Sequence, residues 1–225
     1  MDRRTYLRTV AGGLAAGTVG TAGCSALDGS SSANTTLSRP ELDAEPSAYP
    51  YPEWSQPIPE VTLPAALSDR QVTTTDVDTP LALTFIYTTC MTACPVLTLA
   101  LTKAQERAIE GGWAEDVTFA EITFDPDRDT PAAFRQYAED RNIELDTGTW
   151  HFLRPESTTR ARTVVDEEFG VPFQRTTPED MDQYMFTHST LILLVNADGY
   201  VERAYRDGQR AGRQLPDHLE RIATA

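Results

Sequence analysis

The stretch TFIYTTCMTACP, residues 84–95, brings two cysteines to the point where an apolar run meets a predicted helix. Cys90 and Cys94 stand four residues apart, so a single turn holds both thiols. Residues 81–87 are nearly all apolar and β-prone, which is typical of a central strand covered on both faces. Pro95 suits the first turn of a helix, where its missing N–H group removes no hydrogen bond. The stretch therefore predicts a strand, a cysteine loop and a helix in succession.

Two thiols this close have two chemical uses. They can close a disulfide, which requires α-carbons about 4.4 to 6.8 Å apart, or they can bind a soft metal ion as a pair of thiolates. Unpaired N–H groups at the start of the following helix stabilise a thiolate and lower the pKa of a cysteine there. The residues of the loop alone leave open a structural disulfide, a reactive dithiol and a metal site.

Predicted strands and helices alternate downstream of the cysteine loop. The predicted helices cover residues 96–110, 132–141, 158–169 and 215–223, and the predicted strands cover residues 117–124, 150–153, 191–195 and 200–205. Residues 172–186 show no clear period and predict an inserted loop or hairpin just before His188. This order predicts an α/β domain of thioredoxin type, with three layers, a central mixed sheet and the cysteine loop at the carboxyl end of a central strand.

The first 24 residues have the pattern of an export signal. A block containing Arg3 and Arg4 precedes a run rich in glycine and alanine, which is shorter than the about 20 apolar residues of a membrane span. The run ends in Thr-Ala-Gly-Cys and resembles a lipobox with Cys24 as the lipidated residue. We expect export by the twin-arginine route and a lipid anchor on the outer face of the cytoplasmic membrane. A cleaved signal with unmodified Cys24, or an uncleaved anchor, is the alternative.

The remaining chain divides by composition into a linker and one domain. Residues 25–56 are rich in serine, threonine, alanine, proline and aspartate and predict a tether. For the aromatic part, residues 49–54, an arm packed on the domain is the alternative. Residues 57–225 are predicted to form the thioredoxin-like domain, which is large enough to bury a core without disulfides.

The charge of the chain excludes one class of partner. The formal net charge is −15, and a single lysine, Lys103, accompanies eighteen arginines. Phosphate backbones require a basic patch, and none is evident in the sequence, so nucleic acid is excluded as a partner. The acidic, lysine-poor composition resembles that of proteins adapted to high salt, where screening weakens the repulsion between carboxylates.

Three blocks of sequence, in the same order, resemble one protein family. The cysteine loop, with Phe85, Tyr87 and Thr88 before it, resembles the copper-site loop of the Sco/SenC family, chaperones that help deliver copper to cytochrome oxidase. FDPDRDTP, residues 124–131, resembles the Asp-Pro-x-x-Asp-Thr-Pro loop of that family. HSTLILLVNADG, residues 188–199, resembles its His-Ser segment with the following strand and turn. The resemblance covers roughly residues 57–222 and implies the same thioredoxin-like fold.

The resemblance implies a copper site and a recipient for the copper. Cys90, Cys94 and His188 would bind one copper ion, since two thiolates suit Cu(I) and an imidazole also accommodates Cu(II). Asp125 would orient a ligand, contact a partner or modulate a thiol; the alternative is an Asp-Pro turn in which Asp129 caps the next helix. The implied function is a membrane-anchored copper metallochaperone that supplies the dinuclear copper site of a respiratory oxidase subunit.

Two other functions remain open from the sequence. In a thiol-disulfide oxidoreductase, Cys90 would attack a disulfide of that oxidase subunit or another exported protein, and Cys94 would resolve the intermediate. Thioredoxin-like reductases usually carry C-x-x-C and a cis-proline before the penultimate strand, whereas residues 188–190 here contain no proline, which favours metal transfer. A binding lipoprotein with one structural disulfide would leave both cysteines chemically silent.

Overall fold

The computed structural model describes residues 34–179 and 183–225. The strands are β1 (Thr62–Pro64), β2 (Gln71–Thr73), β3 (Leu81–Ile86), β4 (Thr118–Thr123), β5 (Trp150–Leu153), β6 (Phe173–Thr176), β7 (Met185–His188), β8 (Ile192–Val195) and β9 (Val201–Tyr205). The helices are α1 (Cys94–Gly111), α2 (Pro131–Asp140), α3 (Thr158–Arg162) and α4 (Gly208–Ala223), and α3 continues as a π-helical segment, Thr163–Glu168. Among the described residues, no helix is long and apolar enough to span a bilayer.

Five strands form the central sheet, in the order β5-β4-β3-β8-β9. β3, β4 and β5 are parallel to one another, while β8 pairs antiparallel with both β3 and β9. All six residues of β3 are buried, as expected of an apolar strand with neighbours on both edges and helices on both faces. The predicted α/β fold with a central mixed sheet is confirmed.

Side-chain alternation along the strands assigns the helices to two faces of the sheet. Glu121 of β4 contacts α1, and Phe152, its partner on β5, stacks on Phe134 of α2 with ring centroids 4.7 Å apart. α1 also packs against α4, so these three helices form one layer. Phe85 of β3 points to the opposite face, where its ring lies 5.1 Å from that of Phe169, which follows the α3 segment. The result is three layers with the sheet in the middle.

The segment before His188 is a β-hairpin. β6 and β7 pair antiparallel, and the register sets Phe173 opposite His188. Phe173 is buried against Phe124, the residue after β4, so the hairpin packs at the carboxyl end of the central strands. The predicted inserted hairpin is confirmed, and its last residue reaches the region of the cysteine loop.

The last helix starts earlier than residue 215, where the sequence predicted it. The carboxylate of Asp207 accepts hydrogen bonds from the backbone N–H groups of Gln209 and Arg210, at 2.8 and 3.1 Å, and so caps α4 at Gly208. Pro216 lies inside this helix. The cap satisfies the first unpaired N–H groups, which explains why the helix begins well upstream of the proline.

The described part of residues 25–56 packs on the domain as an arm. Leu37 is fully buried, and the buried carboxylate of Glu202 accepts hydrogen bonds from the N–H groups of Thr36 and Leu37, at 2.7 and 2.8 Å. The indole of Trp54 donates to the carbonyl of Leu37 at 3.2 Å. A free tether would make no such contacts. The apolar side chains and the buried carboxylate of Glu202 hold this segment against the domain. The packed arm that the sequence left as the alternative for residues 49–54 is present and extends back to residue 36. The predicted signal and Cys24 lie outside the described residues.

Glu121 is an acid buried in the centre of the sheet. It is fully buried, one carboxylate oxygen accepts a hydrogen bond from Thr98 at 2.7 Å, and the other has no partner. Burial raises the pKa of Glu121 to about 8. The folded form therefore holds this proton to a higher pH than the unfolded form does, and the stability that the group contributes falls as the pH rises through that value.

We expect Glu121→Gln to flatten the pH dependence of the free energy of unfolding. Between about pH 5 and about pH 9 the wild type should lose about 3 kcal/mol from this group, and the variant should not. Urea unfolding across this range measures the difference. Glu110→Gln, at an exposed position of α1, is the control and should follow the wild type. Parallel curves for wild type and Glu121→Gln would contradict the assignment.

Candidate metal centre

Three side chains from three parts of the chain meet at the carboxyl end of β3. Cys90 lies in the loop after β3, Cys94 is the first residue of α1, and His188 is the last residue of β7. Their ligand atoms all lie within 4.8 Å of one another, and Cys94 Sγ is 3.7 Å from His188 Nε2. The structure thus brings together the three residues that the resemblance implied as copper ligands.

The cysteines are shielded and the histidine is the accessible member of the group. Cys90 is 3% exposed and Cys94 is 0% exposed, whereas His188 is half-buried. Both thiols are free, and the backbone N–H of Cys94 points at Cys90 Sγ, 3.5 Å away. The start of α1 therefore supplies the amide donor expected to stabilise a thiolate at Cys90.

The backbone fixes the tautomer and orientation of His188. Its Nδ1 lies 2.9 Å from the carbonyl oxygen of Ser189. Because a carbonyl can only accept, the imidazole proton lies on Nδ1, and the lone pair of Nε2 faces Cys94. A ligand histidine commonly donates its other N–H to a carbonyl or carboxylate in this way.

The two thiols differ in their acidity. The pKa of Cys90 is lowered, first by the hydrogen bond from the Cys94 thiol and further by the backbone N–H groups of Cys94 and Thr92. The pKa of Cys94 is raised, chiefly because the side chain is buried. Cys90 is accordingly the thiolate of the pair, and Cys94 keeps its proton until a metal ion or a disulfide replaces it.

Aromatic rings form one wall of the site. The imidazole of His188 packs against Phe124 and Tyr87, with ring centroids 5.0 and 6.2 Å away. Both rings also contact Phe186, which lies two residues before His188 on β7. This packing limits the movement of the imidazole.

Asp125 is linked to the hairpin that carries His188. It is 1% exposed, accepts a hydrogen bond from Tyr184 Oη at 2.7 Å and pairs with Arg128 Nε at 2.5 Å. Arg128 also donates to the carbonyl of Tyr184, and the guanidinium groups of Arg128 and Arg175 lie 3.7 and 3.6 Å from the Tyr184 ring centre. That Asp125 orients a ligand stays a prediction. Tyr184 precedes β7 directly, so its hydrogen bond connects Asp125 to the strand that carries His188.

Asp129 binds the start of the cysteine loop and does not cap the next helix. The N-cap of α2 is Thr130, whose hydroxyl accepts from the N–H of Ala133 at 3.2 Å. Asp129 is fully buried and accepts from both the N–H and the hydroxyl of Thr88 and from the hydroxyl of Thr123. The capping alternative is therefore wrong for Asp129, because its carboxylate turns inward to the start of the cysteine loop.

Sequence reasoning missed Asp129 and Tyr184 as supports of the site. Asp129 could have been found from its place, since the acid-rich loop at residues 125–130 follows a central strand next to β3. Tyr184 lies in a segment without periodicity, so no local pattern indicated its contact with Asp125. Burial also raises the pKa of Asp129 to about 6, as expected of an acid enclosed by the fold.

Comparison with known protein families supports this interpretation of the site. The family model described as SCO1/SenC matches residues 66–224. A curated relative, the SCO1 protein homolog of Bacillus subtilis, is 30% identical over 123 residues, which are 54% of this chain. The matched region spans 58% of the length of that relative.

Solved structures share the fold at lower sequence identity. ScoI of Bradyrhizobium japonicum, solved with copper bound, is 21% identical with a TM-score of 0.58, covering 75% of this chain and 99% of its own. BsSco, described as a member of the Sco family of cytochrome c oxidase assembly proteins with a disulfide switch, is 21% identical with a TM-score of 0.55, covering 76% and 94%. The thioredoxin-like fold of these structures and the extent of the family match agree, and the chain belongs to the SCO1/SenC family.

Proposed function

We propose that this protein is a copper metallochaperone that carries one copper ion on Cys90, Cys94 and His188. The observation that carries the proposal is the convergence of two sulfurs and one imidazole nitrogen within 4.8 Å. Two thiolates are soft donors that suit Cu(I), and the imidazole extends the site to Cu(II). A structural zinc site usually has four protein ligands, whereas the group found among the described residues has three.

The recipient of the copper, in this proposal, is the dinuclear copper site of a respiratory oxidase subunit. Support comes from the family match and from BsSco, which is described as belonging to a family of cytochrome c oxidase assembly proteins. Transfer would proceed by ligand exchange, with the half-buried His188 released first and the buried cysteines last. A disulfide between the cysteines would close the site, so copper loading would follow the redox state of the pair.

The signal pattern at the start of the sequence supports a proposal for the place of action. The protein would be exported by the twin-arginine route and held on the outer face of the cytoplasmic membrane by a lipid on Cys24. Mass spectrometry of membrane-extracted protein is the direct test of this anchor. A mature N-terminus at Cys24 with diacylglycerol attached is expected, and an unmodified cysteine would contradict the anchor.

We expect His188→Ala to weaken copper retention without unfolding the protein. The reduced wild-type domain should bind one equivalent each of Cu(I) and Cu(II) in separate titrations. Because the two thiolates remain, the variant should keep Cu(I) with an affinity lowered about 10-fold or more, and should lose specific Cu(II) binding. Chelator competition and the Cu(II) charge-transfer absorption measure the two states.

His151→Ala is the matched control for this experiment. His151 is half-buried on β5 and is not one of the three proposed ligands. Its alanine variant should therefore bind both copper states like the wild type. Unchanged binding of both states by His188→Ala would show that the three-ligand site is wrong.

A thiol-disulfide oxidoreductase is the second candidate function, and the asymmetry of the two thiols favours it specifically. Cys90 Sγ faces the backbone N–H of Cys94 at 3.5 Å and has the character of an attacking thiol, and the fully buried Cys94 has that of a resolving thiol. Rapid reduction of a disulfide substrate by the wild type, together with no specific copper binding in the titrations above, would establish this function in place of the first.

A further inference from the structure

Glu121 lies close to a sulfur of the metal centre, although it is not one of the three proposed ligands. Cys94 and Thr98 stand four residues apart on α1, and both are fully buried. Side chains with this spacing share one face of a helix, with β-carbons about 5 to 6 Å apart. The hydroxyl of Thr98 donates to Glu121 Oε1 at 2.7 Å. Thr98 therefore connects the carboxyl group on β4 to the face of α1 that carries Cys94.

A short chain of hydrogen bonds ends on Glu121. Thr98 Oγ1 lies 2.7 Å from Glu121 Oε1 and 2.7 Å from Tyr137 Oη, and all three side chains are buried. Because the Thr98 hydroxyl gives its one proton to Glu121, the hydroxyl of Tyr137 donates to Thr98. In the part of the chain that the structure describes, the other carboxyl oxygen, Oε2, has no hydrogen-bond partner. An ionised carboxylate would have one hydrogen bond for two buried oxygens, so this environment favours the neutral form.

Among the described residues, few groups that can carry charge face Glu121. They come from α1, from α2 and from the residue after α2, and are Cys94, Tyr137 and Arg141. The partners of Glu121 on β3 and β5, Thr84 and Phe152, do not ionise. Burial raises the pKa of Glu121 to about 8, against smaller opposing effects of its hydrogen bond and of the guanidinium group. The carboxyl group therefore changes its charge in a pH range where the folded protein can be measured.

The charge of Glu121 acts on the metal centre. Burial is the first cause of the raised pKa of the Cys94 thiol, and the charge of Glu121 is a further one. Glu121 and Cys94 also both raise the pKa of Tyr137, for which burial is again the first cause. Since all three side chains are buried, little water lies between them to screen these interactions. An ionised Glu121 therefore opposes negative charge on the sulfurs.

The two oxidation states of copper would leave the site with different charges. Two thiolates and a neutral imidazole around Cu(I) carry one net negative charge, whereas the same ligands around Cu(II) carry none. An ionised Glu121 would therefore repel the Cu(I) form and leave the Cu(II) form nearly unaffected. The ratio of the Cu(I) affinity to the Cu(II) affinity reports this difference alone, because the protonation of the empty thiols contributes equally to both affinities.

We propose that Glu121 determines, through its charge, how strongly the site prefers Cu(I) to Cu(II). The inference rests on the proposed function and adds to it a specificity-determining residue outside the three ligands. The neutral carboxyl group leaves the preference for Cu(I) at its full strength, and ionisation of this group weakens the preference. Burial one helical turn from Cys94 lets Glu121 act on the ion without binding it.

Glu121→Gln tests the proposal, because the amide keeps the shape of the side chain and does not ionise. The affinities of the reduced protein for Cu(I) and for Cu(II) are measured by chelator competition between about pH 6 and about pH 10. Below about pH 7 the wild type and the variant should give the same ratio, since both have a neutral side chain at residue 121. Above about pH 9 the ratio should be about 10-fold lower in the wild type. A tenfold change equals about 59 mV in the midpoint potential of the bound copper, which spectroelectrochemistry measures independently.

Two further variants separate the effect of charge from that of structure. Glu121→Leu is also neutral and leaves the hydroxyl groups of Thr98 and Tyr137 bonded to each other, so its pH profile should match that of Glu121→Gln. Glu110→Gln removes one charge from an exposed position of α1 and should follow the wild type. Circular dichroism at each pH ensures that folded proteins are compared.

Three results would overturn the inference alone, with tight copper binding still in support of the proposed function. Identical profiles for wild type and Glu121→Gln would show that the charge does not reach the copper. A difference of the same size at every pH would show that the substitution repacks α1. A profile of Glu121→Leu that matches the wild type would assign the effect to the amide group. A wild type that binds no copper at any pH would defeat the proposed function, and this inference with it.

Discussion

Cys90→Ser should abolish tight Cu(I) binding. The substitution removes one of the two sulfur donors and leaves one buried thiol and one imidazole for the ion. Loss of a partner that only supports a ligand typically costs about 10- to 100-fold in metal affinity, so loss of the ligand itself should cost at least about 100-fold. Competition with a chromophoric Cu(I) chelator under reducing conditions measures the change.

Met91→Leu is the control for that experiment. Met91 follows Cys90 directly, is 82% exposed and carries the one other sulfur of the loop. The leucine keeps the size and removes the thioether, and we expect Cu(I) affinity within about 3-fold of the wild type because a thioether is a weaker donor than a thiolate. A loss as large as that of Cys90→Ser would make Met91 a ligand and contradict the three-donor site. Retained tight binding in Cys90→Ser would remove Cys90 from it.

The sequence predicted those parts of the fold that depend on local patterns. The apolar run at residues 81–87 indicated a strand buried on both faces, and β3 is such a strand. The order of elements indicated the mixed sheet, since a helix between strands predicts parallel pairing and the Asn-Ala-Asp-Gly turn predicts a hairpin. The spacing of Cys90 and Cys94 is likewise local, so their proximity needed no knowledge of the fold.

Contacts between distant segments were the part that local patterns could not predict. Leu37 and Glu202 are 165 residues apart, and only the folded chain shows that a buried carboxylate receives the arm. The composition of the arm is polar, which indicated a tether, yet two backbone N–H groups and a few apolar side chains suffice to hold it. His188 entered the predicted site through its resemblance to a family block, because nothing in the spacing of 94 residues indicates a contact with Cys94.

The loop at residues 125–130 contacts both the hairpin that carries His188 and the segment that carries the two cysteines. Within residues 125–130, Asp125 binds Tyr184, the residue before β7, and Asp129 binds Thr88 at the start of the cysteine loop and Thr123 at the end of β4. The distance between the sulfurs and the imidazole is therefore set in part by the geometry of this loop. A change at Asp129 should act on stability and on copper affinity together.

Asp129→Ala should lower the free energy of unfolding by about 3 kcal/mol, because it leaves the half-buried N–H and hydroxyl of Thr88 and the buried hydroxyl of Thr123 without an acceptor. Cu(I) affinity should fall about 10- to 100-fold, as expected when a group that supports a ligand is removed. Urea unfolding and chelator competition measure the two effects.

Asp127→Ala is the matched control, since it removes the same side chain from an exposed position of the same loop, and it should change neither quantity appreciably. Asp129→Asn distinguishes support of the site from simple loss of stability. The amide keeps one acceptor oxygen for Thr88, so this variant should recover part of both losses. If copper affinity stayed at the wild-type value in Asp129→Ala while stability fell, the loop would serve the fold alone, and the cysteine loop would hold its geometry without Asp129.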